Sequence, residues 1–259
     1  MELKDAVAIV TGGGGAGSGR AIARRFAREG AAVVVADVDE TGGRQTVRSI
    51  EAEQGRAAFC AADVASDADV RALFEFTERT YGRLDVLVND ASKVHQGEPL
   101  EYWLETLQVD LAGAMRCILA AVPAMQRRRG GAIVNLGSTS ALGYGRRAGP
   151  WPAYDAAKAG IMHLSAALAV LHTSHGVRVN CLVPDWVATP EVTEFVERMT
   201  PGERLAGGVP DVLLSVDDVA GAVVRLATDE ALTGRVLVWW CGEPPRFIRR
   251  EDPGYAVLE

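Results

Sequence analysis

Ala6-Val7-Ala8-Ile9-Val10-Thr11-Gly12-Gly13-Gly14-Gly15-Ala16-Gly17-Ser18-Gly19 is the stretch whose reading decides the fold. Ala6–Thr11 is a short apolar run, the pattern of a strand buried on both faces of a parallel sheet. The glycines after it let the backbone bend sharply. Arg20–Arg28 then reads as a helix, ended by Gly30.

Outward from this unit, strand-like and helix-like segments alternate. Ala31–Ala36, Ala57–Ala62, Leu84–Val88, Ala132–Leu136, Val177–Val183 and Arg235–Trp240 read as strands. Thr41–Gln54, Asp67–Tyr81, Leu100–Arg128, Ala153–His175 and Val216–Thr228 read as helices, with a break expected near Val109–Asp110. Such alternation predicts an α/β fold, a doubly wound parallel sheet covered on both faces. No linker or shift of composition divides the 259 residues, so a single domain is expected through Gly242, followed by a tail over 243–259 without clear periodicity. Arg127-Arg128-Arg129 before Gly130 fits a helix C-terminus, where cations and a glycine are favoured.

Composition excludes some functions. A formal charge of −7 argues against a nucleic-acid binder, which normally shows a basic face. Cys60, Cys117, Cys181 and Cys241 are far apart and form no Cys-x-x-Cys pair, so they read as reduced thiols rather than a metal or redox site. His172 and His175 fit a helix end, and no metal site is expected. No basic or long apolar leader opens the sequence and no run reads as a membrane span, which gives the expectation of a cytoplasmic protein.

In a loop between strand and helix, glycines let the backbone approach a pyrophosphate, and the helix N-terminus offers free N–H groups with partial positive charge. Gly12, Gly17, Ser18 and Gly19 are the expected phosphate-side residues; the spacing leaves open which of Gly13, Gly14 and Gly15 joins them. Asp37 closes the second strand, where a carboxylate hydrogen-bonds the adenosine ribose hydroxyls and repels a 2′-phosphate. NAD(H) is therefore expected over NADP(H). Asp63 and Val64, after the third strand, are candidates for the adenine pocket.

Further on, Tyr154-Asp155-Ala156-Ala157-Lys158 sets a phenol and an ammonium four residues apart, on one helix face. The ammonium favours the phenolate, and a tyrosine with a lowered pKa can exchange a proton with an alcohol or carbonyl.

With the loop, Asp37, Tyr154 and Lys158 in place, the chain resembles the short-chain dehydrogenase/reductase family from about Leu3 to Gly242. One residue between Gly17 and Gly19 matches the oxidoreductase type of that family. The resemblance implies a Rossmann fold, a homotetramer, and a hydride transfer between NAD and a secondary alcohol or ketone. It makes Ser138 the catalytic serine, with Ser140 as alternative, and gives Asn89 and Ala91 a supporting role beneath the cofactor. Asn180-Cys181-Leu182-Val183-Pro184 would lead into nicotinamide contacts at Val187 and Thr189, while Tyr154 and Lys158 serve both catalysis and cofactor binding.

Four departures accompany the resemblance. The glycine loop is one residue longer, Asn89-Asp90-Ala91-Ser92 replaces Asn-Asn-Ala-Gly, and Asp185 stands in place of a glycine. Asp110 occupies the position of a catalytic asparagine. An ionised aspartate only accepts hydrogen bonds, favours a charged Lys158 and opposes a nearby tyrosinate. The departures motivate the rival reading, a catalytically silent dinucleotide-binding sensor or scaffold. Leu142, Tyr144, Trp151 and Trp186 are expected as apolar walls of a substrate pocket, with His95, Arg146 and Arg147 as polar candidates.

Overall fold

The computed structural model describes residues 1–94, 99–128, 130–143 and 151–249. In chain order it runs β1 Val7–Thr11, α1 Ser18–Arg28, β2 Ala32–Asp37, α2 Glu40–Ala52, β3 Arg56–Ala61, α3 Asp67–Tyr81 and β4 Val86–Asn89. α4 Trp103–Leu107 continues through a π-helical turn, Gln108–Gly113, into α5 Ala114–Gln126. Then come β5 Gly131–Leu136, α6 Pro152–Ala167, α7 Val170–His175, β6 Val177–Pro184, α8 Pro190–Arg198, α9 Pro201–Ala206, α10 Val216–Thr228, β7 Arg235–Trp239 and β8 Arg246–Phe247.

The strands form one sheet in the order β3-β2-β1-β4-β5-β6-β7-β8. Every pairing is parallel except β7 with β8. Alternate β2 residues face opposite sides, so Val33 and Val35 pack with Ile22, Phe26, Val223 and Leu226, whereas Val34 and Ala36 pack with Leu73, Cys117, Ala121 and Ile133. Strand order reverses between β1 and β4. In an open α/β sheet the crevice at that switch point, beyond the strand C-termini, is where ligands bind.

Three differences from the sequence expectation have local causes. The helix expected over Ala153–His175 is two helices, because the turn at Leu168–Ala169 lets the chain pass Gly234, where an added Cβ would meet Ala169 Cβ at 2.5 Å. α8 and α9 were not expected; each starts with a Thr-Pro pair in which Thr189 or Thr200 caps the helix and proline takes its first turn. β8 lies beyond Gly242 and makes the sheet mixed at its edge; Phe247 sits there between Arg225 and Arg235.

The helical stretch Leu100–Gln126 is 27 residues long and apolar enough by length and composition to cross a membrane, contrary to the sequence reading. Its Cys117, Ile118, Ala121 and Met125 are packed in the core, and its π-helical turn contains buried Asp110. α5 ends at Gln126, where Arg128 donates to the Gly82 carbonyl at 2.8 Å. Arg129, His95, Tyr144, Arg146 and Arg147 lie outside the described residues.

Candidate active site

The glycine loop leaves β1 at the switch point and is pinned from three sides. Gly12 has φ +72°, and a Cβ there would lie 2.8 Å from the Ala91 backbone. Thr11 Oγ1 accepts the N–H groups of Asp90 and Ala91, which binds the loop after β4 to the end of β1. Asp37 Oδ2 accepts from Gly14 N at 2.7 Å, and its other oxygen accepts from Asp39 N at 2.9 Å.

On the outer side, Thr46 Oγ1 donates to Gly13 O at 2.8 Å and accepts from Arg20 Nε at 3.0 Å. Arg20 also donates to Gly14 O at 2.7 Å. Sequence reasoning missed both Arg20 and Thr46. Only the i+26 contact between α1 and α2 reveals them, although the additional glycine was a hint that the loop needs holding.

The loop ends on α1, whose N-cap Gly17 supplies no side-chain acceptor and whose first turn contains no acid. That helix end suits an anion, and the Asp90 carboxylate already accepts there from Ser18 Oγ and the Gly19 backbone. Gly17 faces Thr189 across the cleft, where an added Cβ would come within 3.4 Å of Thr189 Cγ2. Thr189 caps α8 through Val192 N, and Val187 bridges to Leu214. Pro184 ends β6. Val64 is buried and borders a small cavity with Thr11, Asn89, Ala91, Asp110 and Lys158. Asp63 accepts from Ala65 N at 2.8 Å in the turn leading to α3. The phosphate-side candidates thus lie at the start of α1 and Asp37 at the end of β2, while Val64, Asn89, Ala91 and Lys158 line one cavity. A backbone cradle, a helix start whose N-cap residue has no side chain, and a carboxylate beyond it fit a dinucleotide.

The proton-transfer candidates meet beside that crevice. Ser138 follows β5 and is hydrogen-bonded to the Tyr154 hydroxyl. Ser140 Oγ donates to Ser138 Oγ at 2.9 Å, so the alternative serine stands behind the first. Lys158 is buried, donates to Leu136 O at 3.2 Å, and lies 5.2 Å from the centre of the Tyr154 ring.

Asp110 joins this group directly. Its Oδ2 is 3.2 Å from Lys158 Nζ and accepts from Ser92 Oγ at 2.5 Å, while Oδ1 accepts from Lys93 N at 2.8 Å. It sits on the π-helical turn, a local widening that is frequent at functional sites. The substitution at position 92 thus supplies the aspartate with a donor.

Electrostatics depart from the sequence expectation. Burial raises the Tyr154 pKa above its ordinary value; Lys158 and the Ser138 hydrogen bond oppose the rise, while Asp110 and Asp90 add to it. Burial pulls Lys158 down, but the charge and hydrogen bond of Asp110, together with Tyr154 and Asp90, more than offset this, and Lys158 ends above its ordinary value. The expected depression of the tyrosine is absent because burial, with Asp110 and Asp90 adding to it, outweighs Lys158 and Ser138.

Asp185 also has assigned partners. It accepts from Thr139 Oγ1 at 2.9 Å and from Cys241 N at 3.1 Å, tying the serine loop to the end of β7. Leu142, Trp151 and Trp186 are half-buried, and Leu142 packs against a cluster containing Met162 and Trp240. A buried chain, Asn89 Nδ2 to Asn135 Oδ1 and Asn135 Nδ2 to Ser165 Oγ, each at 2.8 Å, locks β4, β5 and α6 together beneath the site.

Comparison with known proteins agrees with this architecture. The sequence model of a family described as enoyl-(acyl carrier protein) reductase matches residues 14–242. The short-chain reductase protein NovJ of Streptomyces niveus is 35% identical, over 99% of this chain and 91% of its own. Cis-4-hydroxycyclohexanecarboxylate dehydrogenase of Sinomonas cyclohexanicum is 35% identical, over 87% of this chain and 90% of its own. A crystal structure described as a putative short-chain dehydrogenase/reductase from Burkholderia xenovorans superposes with TM-score 0.82 at 33% identity, covering 91% of this chain and 95% of that one.

Proposed function

Because the chain belongs to the short-chain dehydrogenase/reductase family, we propose that it interconverts a secondary alcohol and a ketone with NAD(H). The observation that carries this reading is the Ser138–Tyr154–Lys158 cluster beside the glycine-loop crevice. The substrate in the name of the Sinomonas relative, a hydroxycyclohexanecarboxylate, is itself a secondary alcohol, which supports the substrate class.

When bound, the nicotinamide supplies or accepts the hydride. Asp37 supports NAD(H) over NADP(H), since its carboxylate accepts ribose hydroxyls and repels a phosphate. Gly12, Gly17, Ser18 and Gly19 would hold the pyrophosphate end, Asp63 and Val64 the adenine end, and Val187 and Thr189 the carboxamide. Ser138 orients the reacting oxygen. Tyr154 takes the hydroxyl proton during oxidation and returns it during reduction. Lys158 favours the phenolate, less strongly than a lysine without an acidic partner. Half-buried Leu142, Trp151 and Trp186 supply an apolar pocket wall.

The Lys158–Asp110 ion pair favours a second reading, a dinucleotide-binding protein without turnover. Cofactor reduction with NAD and NADP over a panel of secondary alcohols separates the two. Turnover with NAD that is lost in Tyr154→Phe is the expected result. Tight NAD binding with no turnover on any alcohol or ketone would establish the second reading instead.

A further inference from the structure

Asp90 lies under the start of α1, at the helix terminus that the pyrophosphate is expected to use. Ser18 Oγ donates to it, at 3.0 Å from Oδ1 and 2.9 Å from Oδ2, and the Gly19 backbone adds a hydrogen bond. A Cβ on Gly19 would fall 2.9 Å from Asp90 Oδ2, so the carboxylate is pressed against the helix backbone. Asp90 keeps some accessible surface at the crevice, yet protein atoms surround its carboxylate.

The charged groups around it are few. Lys158 on α6 favours its ionised form, Asp110 on the π-helical turn opposes it, and Tyr154 on α6 faces the same centre. The lysine is already paired with Asp110 at 3.2 Å. Burial, with Asp110 adding to it, outweighs Ser18, Lys158 and Gly19 and pushes the Asp90 carboxyl up to about 7. A carboxylate and an incoming pyrophosphate would then compete for one helix terminus, and like charges at that separation disfavour ionisation of the weaker acid.

We propose that Asp90 takes up a proton from solvent when a dinucleotide binds, so that this one carboxyl makes cofactor affinity depend on pH. The inference rests on the dinucleotide reading above. No bond other than O–H forms: the proton comes from buffer and returns to it on release. A relative with an amide at this position has no such exchange.

The test is calorimetric titration of the full chain with NAD, in buffers of different ionisation enthalpy, between pH 6 and 9. The expected result is net uptake of roughly half a proton at pH 7, rising toward one at pH 8, with Kd weakening by up to about tenfold per pH unit above 7. Asp90→Asn, which keeps the shape of the side chain, abolishes the uptake and flattens the affinity profile. A binding enthalpy independent of buffer together with a flat Kd in the parent protein overturns the proposal and leaves the dinucleotide reading intact. Uptake that persists undiminished in Asp90→Asn also overturns it, because the proton then resides elsewhere. Failure to bind either NAD or NADP at any pH overturns the dinucleotide reading, and this proposal with it.

Discussion

Lys158 and Asp110 form a buried ion pair, Nζ to Oδ2 at 3.2 Å, with side chains 5% and 0% exposed. The pair joins α6 to the π-helical turn, and the turn is what carries the carboxylate to the ammonium. Desolvating two charges is costly, and the further hydrogen bonds that Ser92 Oγ and Lys93 N donate to Asp110 help to offset it. The functional consequence of the pair falls on Tyr154, whose pKa Lys158 lowers and Asp110 raises.

Asp110→Asn removes the negative charge that raises Tyr154 while keeping an oxygen near Lys158. With that charge gone, the phenolate is easier to form and the Tyr154 pKa falls. Alcohol oxidation needs the phenolate, so its rate rises with pH as Tyr154 ionises. The substitution should move that rise to lower pH. The pH profile of kcat/KM for both proteins measures it, and an unshifted limb would mean that Asp110 does not act on the tyrosine.

Tyr154→Phe deletes the hydroxyl that Ser138 contacts and leaves the ring over Lys158. Loss of general acid–base catalysis should lower kcat by about 10² to 10⁴. NAD affinity, measured by fluorescence quenching, should change by far less, since the glycine loop and Asp37 are untouched. Near-normal turnover in this variant would remove Tyr154 from the chemistry.

Those two residues and the loop were readable because their signals are local. A buried strand is a run of apolar residues, a glycine loop follows it, and Tyr154 and Lys158 are one helical turn apart. What escaped depends on contacts distant in sequence. Asp110 was marked by its residue type, but its 48-residue reach to Lys158 depends on where a π-helical turn falls. Ser18 and Asp90 lie 72 residues apart and meet only at the crossing of two loops. α8 and α9 are nine and six residues long, too short for a clear period, although their Thr-Pro starts were there to be read. β8 has two residues and is specified by its pairing with β7 rather than by any pattern of its own.

Arg178 illustrates a structural charge that the sequence did not flag. It is buried on β6 and donates to Ala227 O, Asp229 O and Leu232 O at the C-terminus of α10, where carbonyls lack helical partners. Burial lowers its pKa, opposed by Glu230 and Asp229. Arg178→Met strips several buried acceptors and should cost about 1–3 kcal/mol of unfolding free energy. Urea denaturation checks this; a loss below about 0.5 kcal/mol, within the usual range for surface substitutions, would mean that solvent satisfies those carbonyls.

Thr46 is buried and holds two strands of the glycine-loop network at once, Gly13 O as acceptor and Arg20 Nε as donor. Thr46→Val preserves shape but removes the hydroxyl, leaving a buried carbonyl and part of a guanidinium unpaired. A stability cost of about 1–3 kcal/mol is expected. The loop effect is separable from this cost: Gly13 and Gly14 lose part of their restraint, so NAD should bind more weakly at temperatures where the variant is fully folded. Thr46→Ser restores the hydroxyl and should recover affinity even where the missing methyl leaves some instability. If Thr46→Val binds NAD as tightly as the parent, Arg20 and Asp37 alone define the loop, through their bonds to the two sides of Gly14.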